Sequence, residues 1–288
     1  MRPVLPTIKR VSRFMHFVLR EPREALVRLE DQFAEQQERN RPGCHYQAEC
    51  DWERRLHKIL GRPWPCQAAS EFWDLWAEVI RPFKAKGIRI GRGTFGGWGD
   101  GEPGFVRAVW CLVRHIRPIH VVETGVARGF TTRIILEALE RNAAGHLWSI
   151  DAPPVLKPGL REQVGEAVLD RLRHRWSYIQ GSSARRLPSL LSQLGTIDLF
   201  IHDSRHTERN VRFELDKAWM TLRPGGALLV DDIDLNWGFR YFTDTVSDYW
   251  SVIGYAEPIE PDLTRFAGRG LFGAIFKAAF FNRMIEPT

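Results

Sequence analysis

The 288-residue sequence predicts an α/β protein, a doubly wound, mostly parallel seven-stranded sheet preceded by a helical extension. Three observations lead there. From Pro118 onward, short apolar runs alternate with segments of 3.6-residue periodicity. The first of these runs ends in an acid and passes through two glycines into a helix, and three later runs also stop at a carboxylate. Such alternation implies parallel strands joined by crossover helices, with ligands bound beyond the carboxyl ends of the strands.

Residues 1–90 read as helices separated by proline. Ile8, Val11, Met15 and Val18 recur at helical spacing, then Leu26, Leu29 and Phe33 after Pro22, and a third run of Phe72, Trp76, Val79 and Ile80 is expected to stop at Pro82. Lys9, Arg10, Arg13 and Arg20 flank the first apolar stripe, which suits either a membrane-surface helix or, more simply, a helix docked on the body or on a second copy of the chain. A homo-oligomer formed through these helices is one expected partner. Residues 91–104 carry six glycines between Gly91 and Pro103 and read as a loop, either a plain linker or a cover that lays Trp98 and Asp100 over a ligand.

The domain proper is expected over residues 105–288. Its strand candidates are His120–Glu123, Leu147–Asp151, Ser177–Gln180, Ile197–Asp203 and Ala227–Asp232, followed by a helix near Phe239–Tyr249 and strands near Ser251–Ala256 and Leu271–Lys277. Val211, Leu215, Ala218, Trp219 and Leu222 mark one crossover helix. No internal repeat is present.

Composition narrows the function classes. The net charge of +6 comes from 41 basic against 35 acidic residues without long basic blocks, so nucleic acid is not an expected partner. No apolar run reaches the roughly 18–20 residues of a membrane span, and no secretory leader is visible, so a cytoplasmic protein is expected. Four cysteines do not make a disulfide scaffold. Cys44, Cys50 and Cys66 with His45 and His57 can be drawn as a zinc site, against which stands the lack of any CxxC pair.

The sharpest chemical signal is the stretch from Val121 to Thr132, VVETGVARGFTT. Gly125 permits a tight turn, Ala127 and Gly129 leave the backbone open to close approach, and the helix N-terminus beyond can receive a polar ligand. A dinucleotide loop reads GxGxxG. Here the glycines fall as GxxxG, directly after Glu123 and Thr124, and a carboxylate suits a cationic ligand better than a pyrophosphate. Asp151, 26 residues after Gly125, is placed to accept hydrogen bonds from two ribose hydroxyls, and Ser182 and Ser183 follow the next strand, where they can border an adenine.

A third constellation pairs LFIHDSRH, ending at His206, with LLVDDI, ending at Ile233. Asp203, Asp231 and Asp232 should converge at one edge of the sheet. Carboxylates so close raise one another's pKa unless a cation neutralises them, and oxygen ligands suit magnesium, manganese or calcium better than zinc. The plainer alternative is that they are caps and turn acids. His202 should face away from Asp203 by strand alternation.

At these residues the chain resembles the class I S-adenosylmethionine-dependent methyltransferases, and within them the bacterial group that shares the metal arrangement of catechol-type and antibiotic-sugar O-methyltransferases. The resemblance spans about residues 100–280 and implies a Rossmann-like fold. In that group one aspartate ends the fourth strand and an Asp-Asp or Asp-Asn pair ends the fifth, matching Asp203 and, 28 residues on, Asp231 and Asp232. The resemblance implies that Glu123, Thr124, Gly125, Ala127 and Gly129 hold the methionine end of S-adenosylmethionine, Asp151 the ribose, and Ser182 and Ser183 the adenine edge. It implies Asp203, Asp231 and Asp232 as ligands of a divalent cation, magnesium first, with a small-molecule or sugar hydroxyl as acceptor. Sugar-specific members carry an acid as base two positions after the first metal aspartate, where this chain has Arg205. His206 is the substitute, paired with Asp203 as the catalytic set, unless it only caps the next helix or braces Asp203. Trp237, Phe239, Tyr241 and Phe242 either line the acceptor pocket or belong to the core. A nucleotide-dependent oxidoreductase and a non-catalytic binding protein of the same fold stand as the other readings.

Overall fold

The structure is a computed structural model that describes residues 5–91, 93–256 and 270–279, with side chains from residue 12 onward. Ile8 and Val11 of the first apolar stripe therefore lie outside the described side chains. Four helices precede the sheet: α1 (Leu5–Arg20), α2 (Pro22–Glu38), α3 (Trp52–Ile59) and α4 (Gln67–Ala85). Helix α4 runs through Pro82 rather than stopping there. Phe83, in the turn beyond the proline, is buried against Phe130 with ring centroids 4.8 Å apart, and this packing holds the last turn helical.

The remaining elements alternate: α5 (Pro103–Ile116), β1 (His120–Thr124), α6 (Phe130–Asn142), β2 (His146–Asp151), α7 (Pro158–Glu162), β3 (Trp176–Gln180), α8 (Ser183–Leu194), β4 (Ile197–His202), α9 (Glu208–Thr221), β5 (Leu222–Val230), α10 (Gly238–Thr243), β6 (Tyr249–Tyr255) and β7 (Leu271–Lys277). One seven-stranded sheet has the order β3-β2-β1-β4-β5-β7-β6, with β7 antiparallel to both of its neighbours. The expected doubly wound, mostly parallel, Rossmann-like sheet is what the chain forms. Helix α10 ends six residues earlier than expected, because Asp244, Thr245, Ser247 and Asp248 offer no apolar face and Asp248 adopts φ +56° before β6 begins.

Strand alternation assigns the two sides of the sheet. On β4, Leu199 and Ile201 join α3–α6 in one core, while Phe200 joins α8–α10 in the other. Trp52, Leu56, Phe72 and Trp76 of the N-terminal helices share the first core with Phe105, Trp110 and Phe130. The division drawn at residues 91–104 therefore does not separate two cores: α3 and α4 are built into the same body as the sheet. No described helix is long and apolar enough to cross a membrane.

The order of strands reverses between β1 and β4, where their crossover helices leave on opposite faces. The loops after β1, β2, β3, β4 and β5 converge at that edge, which is where an open α/β sheet leaves a crevice.

Candidate functional site

The crevice is a cavity of about 600 Å³ walled by these loops, by the glycine-rich loop, and by α1 and α2. Gly125 opens it. With φ +89°, an added Cβ would lie 1.8 Å from the carbonyl oxygen of Asp203, so only glycine lets β1 and β4 end this close together. Ala127, at φ +48°, and Val126 line the cavity, whereas Gly129 takes the left-handed cap position just before α6, behind it.

Glu123 and Thr124 do not reach the cavity; both side chains are fully buried. One Glu123 oxygen accepts hydrogen bonds from Thr132 Oγ1 at 2.8 Å and Ser149 Oγ at 2.6 Å, and burial pushes its carboxyl up to about 8. Glu123 thus braces the turn from α6 and β2, and the expectation that it faces a ligand ammonium is corrected by the strand alternation that turns it into the first core. Thr124 turns to the opposite face, where its hydroxyl donates to Glu214 at 2.5 Å.

Asp151 lines the cavity, accepts from the Val126 amide at 3.2 Å, and is raised by burial to about 6. Ser182 and Ser183 line it too, but they are engaged. Ser182 gives both its amide and its hydroxyl to Glu24 of α2 at 2.8 Å, and Ser183 donates to Asn210 at 3.2 Å. Desolvation would raise Glu24, yet the hydrogen bonds from Ser182 and Arg28 outweigh it and hold the carboxyl low. Arg28 also donates to the Pro153 carbonyl at 2.8 Å, so α2 grips both the β2 and β3 loops.

The glycine-rich loop is another wall. Phe95 and Trp98 pair through their backbones, and Asp100, 3% exposed, makes a buried ion pair with Arg128, whose guanidinium lies 5.0 Å from the Phe95 ring centroid. Lys157 donates to the Gly96 carbonyl at 3.1 Å. Burial raises Asp100 to about 6 despite Arg128.

At the other end of the cavity stand Asp203, His206 and Asp232, with Asp231 behind them. Ligand atoms of Asp203, His206 and Asp231 lie within 4.8 Å of one another, and so do those of Glu102, Asp231 and Asp232. The three expected aspartates are thus neighbours, but in two overlapping groups that share Asp231 and draw in Glu102 and His206. His206 Nε2 is 4.0 Å from Asp203 and 3.9 Å from Asp232. Removal from solvent, then the carboxylates of Glu123, Asp232 and Glu102, raise Asp203 well above the usual carboxylate range. Asp232 itself sits at φ +51°, a conformation that costs a non-glycine residue energy and often marks a functional turn.

Residues 122–233 match the family described as Methyltransferase domain. The match runs from β1 to just beyond β5, the part of the chain whose loops wall the cavity. Together with the strand order above, this similarity favours the methyltransferase reading of the sequence over the oxidoreductase one. The chain is similar in structure to the O-methyltransferase TomG from Streptomyces achromogenes in complex with SAM, at 16% identity over 74% of this chain and 91% of that one, TM-score 0.46. It is similar to an O-methyltransferase from Bacillus cereus in complex with SAH, at 15% identity over 79% and 99% of the two chains, TM-score 0.48. It is also similar to cofactor-bound Rv0187 from MTB, at 16% identity over 81% and 98%, TM-score 0.49. No curated protein sequence matches the chain.

Several expectations change at this site. Trp237 and Tyr241 are surface side chains, Phe239 and Phe242 are core, and none of the four lines the cavity. Arg205 has a structural use, pairing with Glu35 and, at 3.7 Å, with Asp31 of α2. His202 is buried and bonded to Glu214 at 2.6 Å, turned away from Asp203 as alternation required. Among the expected zinc ligands, the Cys44 thiol lies 3.9 Å from the His45 carbonyl and Cys50 is exposed, so these two do not join Cys66. Glu24, Arg28 and Glu102 were missed. Each sits in a stretch whose pattern reads as a solvated helix face or loop, and only the folded chain turns them inward.

Proposed function

We propose that the protein transfers the methyl group of S-adenosylmethionine to a hydroxyl oxygen of a small molecule or sugar, with a divalent cation assisting. The observation that supports this reading is one cavity with two chemically different ends. Asp151, Ser182 and the Gly125 turn suit a nucleoside and its attached chain, while Asp203, Asp232 and His206, with Asp231 and Glu102 packed behind them, suit a polar oxygen.

Asp151 is positioned to accept from the ribose hydroxyls, and Gly125, Val126 and Ala127 offer a close-lying backbone for the methionine portion. Phe14, Phe17, Trp98 and Phe130 exclude water from the space between the two ends. Asp203, Asp231 and Asp232, with Glu102, would hold the cation; the clustered carboxylates and the raised Asp203 fit a hard, oxygen-seeking ion. When bound, it supplies Lewis-acid polarisation of the acceptor hydroxyl. His206 is left to take the hydroxyl proton as the oxygen–methyl bond forms and the methyl–sulfur bond breaks. The orientation of both reactants in one closed space supplies most of the acceleration.

The test is methyl transfer from labelled S-adenosylmethionine across a panel of phenols and sugars, with and without EDTA. Turnover should vanish in EDTA and return with magnesium or manganese. Asp231→Asn should lose turnover while its affinity for S-adenosylhomocysteine stays within about twofold, since the cation serves the acceptor rather than the adenosine. Undiminished transfer in EDTA would remove the cation from this reading and leave His206 as the sole assistant.

A further inference from the structure

Outside the cavity, three soft ligands converge, two of which, His57 and Cys66, the sequence had offered as members of another set. His57 ends α3, Cys66 heads α4, and His115 lies in the last turn of α5. We propose that His57 Nε2, His115 Nε2 and Cys66 Sγ bind one zinc ion, which fastens α3 and the head of α4 to α5.

The geometry carries the proposal. The three atoms lie within 4.8 Å of one another, with the imidazole nitrogens 3.0 Å and 3.3 Å from the sulfur. Around a tetrahedral zinc, bonds of about 2.1 Å to nitrogen and 2.3 Å to sulfur put those atoms about 3.6 Å apart, so shifts of a few tenths of an ångström admit the ion.

Hydrogen bookkeeping points the same way. His57 Nδ1 lies 2.7 Å from the Glu53 carbonyl, which can only accept, so Nδ1 carries the hydrogen and Nε2 of the neutral ring presents a lone pair to the sulfur. A backbone carbonyl behind the ring is the usual outer partner of a metal-bound histidine. A cation placed among the three atoms would be met by that nitrogen lone pair and by the sulfur. The Ala69 amide donates to the Cys66 sulfur at 3.3 Å and fixes it at the head of α4, facing the two rings. Cys66 and His115 are only half-buried, which leaves a fourth position open to solvent.

The experiment uses full-length protein stripped of metal by dialysis against a chelator, with cobalt(II) and zinc as probes. One equivalent of cobalt should produce intense thiolate-to-metal absorption that zinc displaces. The band should survive in Asp231→Asn, which separates this site from the acidic cluster, and should disappear in Cys66→Ser. His115→Gln should weaken zinc binding by about 100-fold, the upper range seen when even an outer partner is lost. In parallel, zinc should slow alkylation of Cys66 at least about 10-fold by removing its free thiolate while leaving exposed Cys50 unchanged. The absence of a cobalt–thiolate band in the wild type, its persistence in Cys66→Ser, or equal alkylation of Cys66 with and without zinc would overturn the proposal. The alkylation arm needs only the wild type and so decides the matter even if the serine variant does not fold.

Discussion

Asp151 links the surroundings of a side chain most directly to what it can bind. A carboxyl raised to about 6 is mostly ionised at pH 7 and mostly protonated at pH 5, and only the ionised form accepts from two hydroxyls. Affinity for S-adenosylhomocysteine should therefore fall about 10-fold from pH 7 to pH 5, in step with the ionised fraction. Calorimetric titration of Asp151→Asn should give weak binding without that dependence; an unchanged affinity at pH 7 would free Asp151 from the ribose role. Glu123 makes a stability prediction. Its carboxyl sits near 8 in the folded chain against about 4.5 unfolded, so its contribution is fully present below 4.5 and is lost as pH rises through 8. In ligand-free melts, Glu123→Gln should match the wild type at pH 4 and exceed its Tm at pH 9. Asp151 and Glu123 were both legible in the sequence as strand-end acids, but their directions were not equally so. Position after the first strand implied a ligand, whereas the face on which Glu123 emerges depends on the register of β1 against β2 and β4, which only the paired sheet defines.

At the scale of elements, the strands of the parallel half were legible because each is a short apolar run ended by an acid or glycine: β1, β2 and β3 each gain one residue and β4 loses one, and only β5 departs by more. The role of the glycine-rich loop was not. Six glycines report conformational freedom, but the loop is fixed by a contact 28 residues away, between Asp100 and Arg128. Removing one partner of a buried ion pair costs about 3–5 kcal/mol, and here the penalty should be taken as detachment of the loop. Asp100→Ala should make residues 91–101 the first site of limited proteolysis and weaken S-adenosylhomocysteine binding. Arg128→Met with Asp100→Leu should restore part of the melting temperature but not the protease resistance, because the hydrogen bonds to the Thr94 carbonyl are also gone.

Over the whole molecule, the sheet follows from pattern and the N-terminal half does not. Helical periodicity revealed that residues 1–90 form helices, but not that they divide their work. Helices α3 and α4 fill the first core, whereas among the described side chains of α2 only Glu24 and Ala25 are buried, and it meets the body by polar contacts at the cavity rim. Deleting residues 1–38 should leave a folded protein with a small loss in Tm, yet weaken cofactor binding through the loss of the Glu24 grip on Ser182. Deleting residues 1–60 removes Trp52 and Leu56 and should leave an unfolded or aggregated chain, measurable by circular dichroism.

The seam between α2 and α9 gives that rim a property of its own. Arg205 meets Glu35, Arg209 meets Glu30 at 2.9 Å, and Glu38 accepts from the Glu208 amide at 2.8 Å, all in positions that solvent ions can reach. Each such exposed contact is worth at most about 1 kcal/mol, and at 1 M salt the screening length shrinks to about 3 Å. The outer seam of the wall is thus fastened by forces that electrolyte weakens, while the buried grip of Glu24 on Ser182 and the sheet beneath are reached by it far less. Sodium chloride becomes a selective solvent for one side of the cavity: it should shorten the residence time of S-adenosylhomocysteine in stopped-flow traces without lowering the protein's Tm, and the chain lacking residues 1–38 should show no such response.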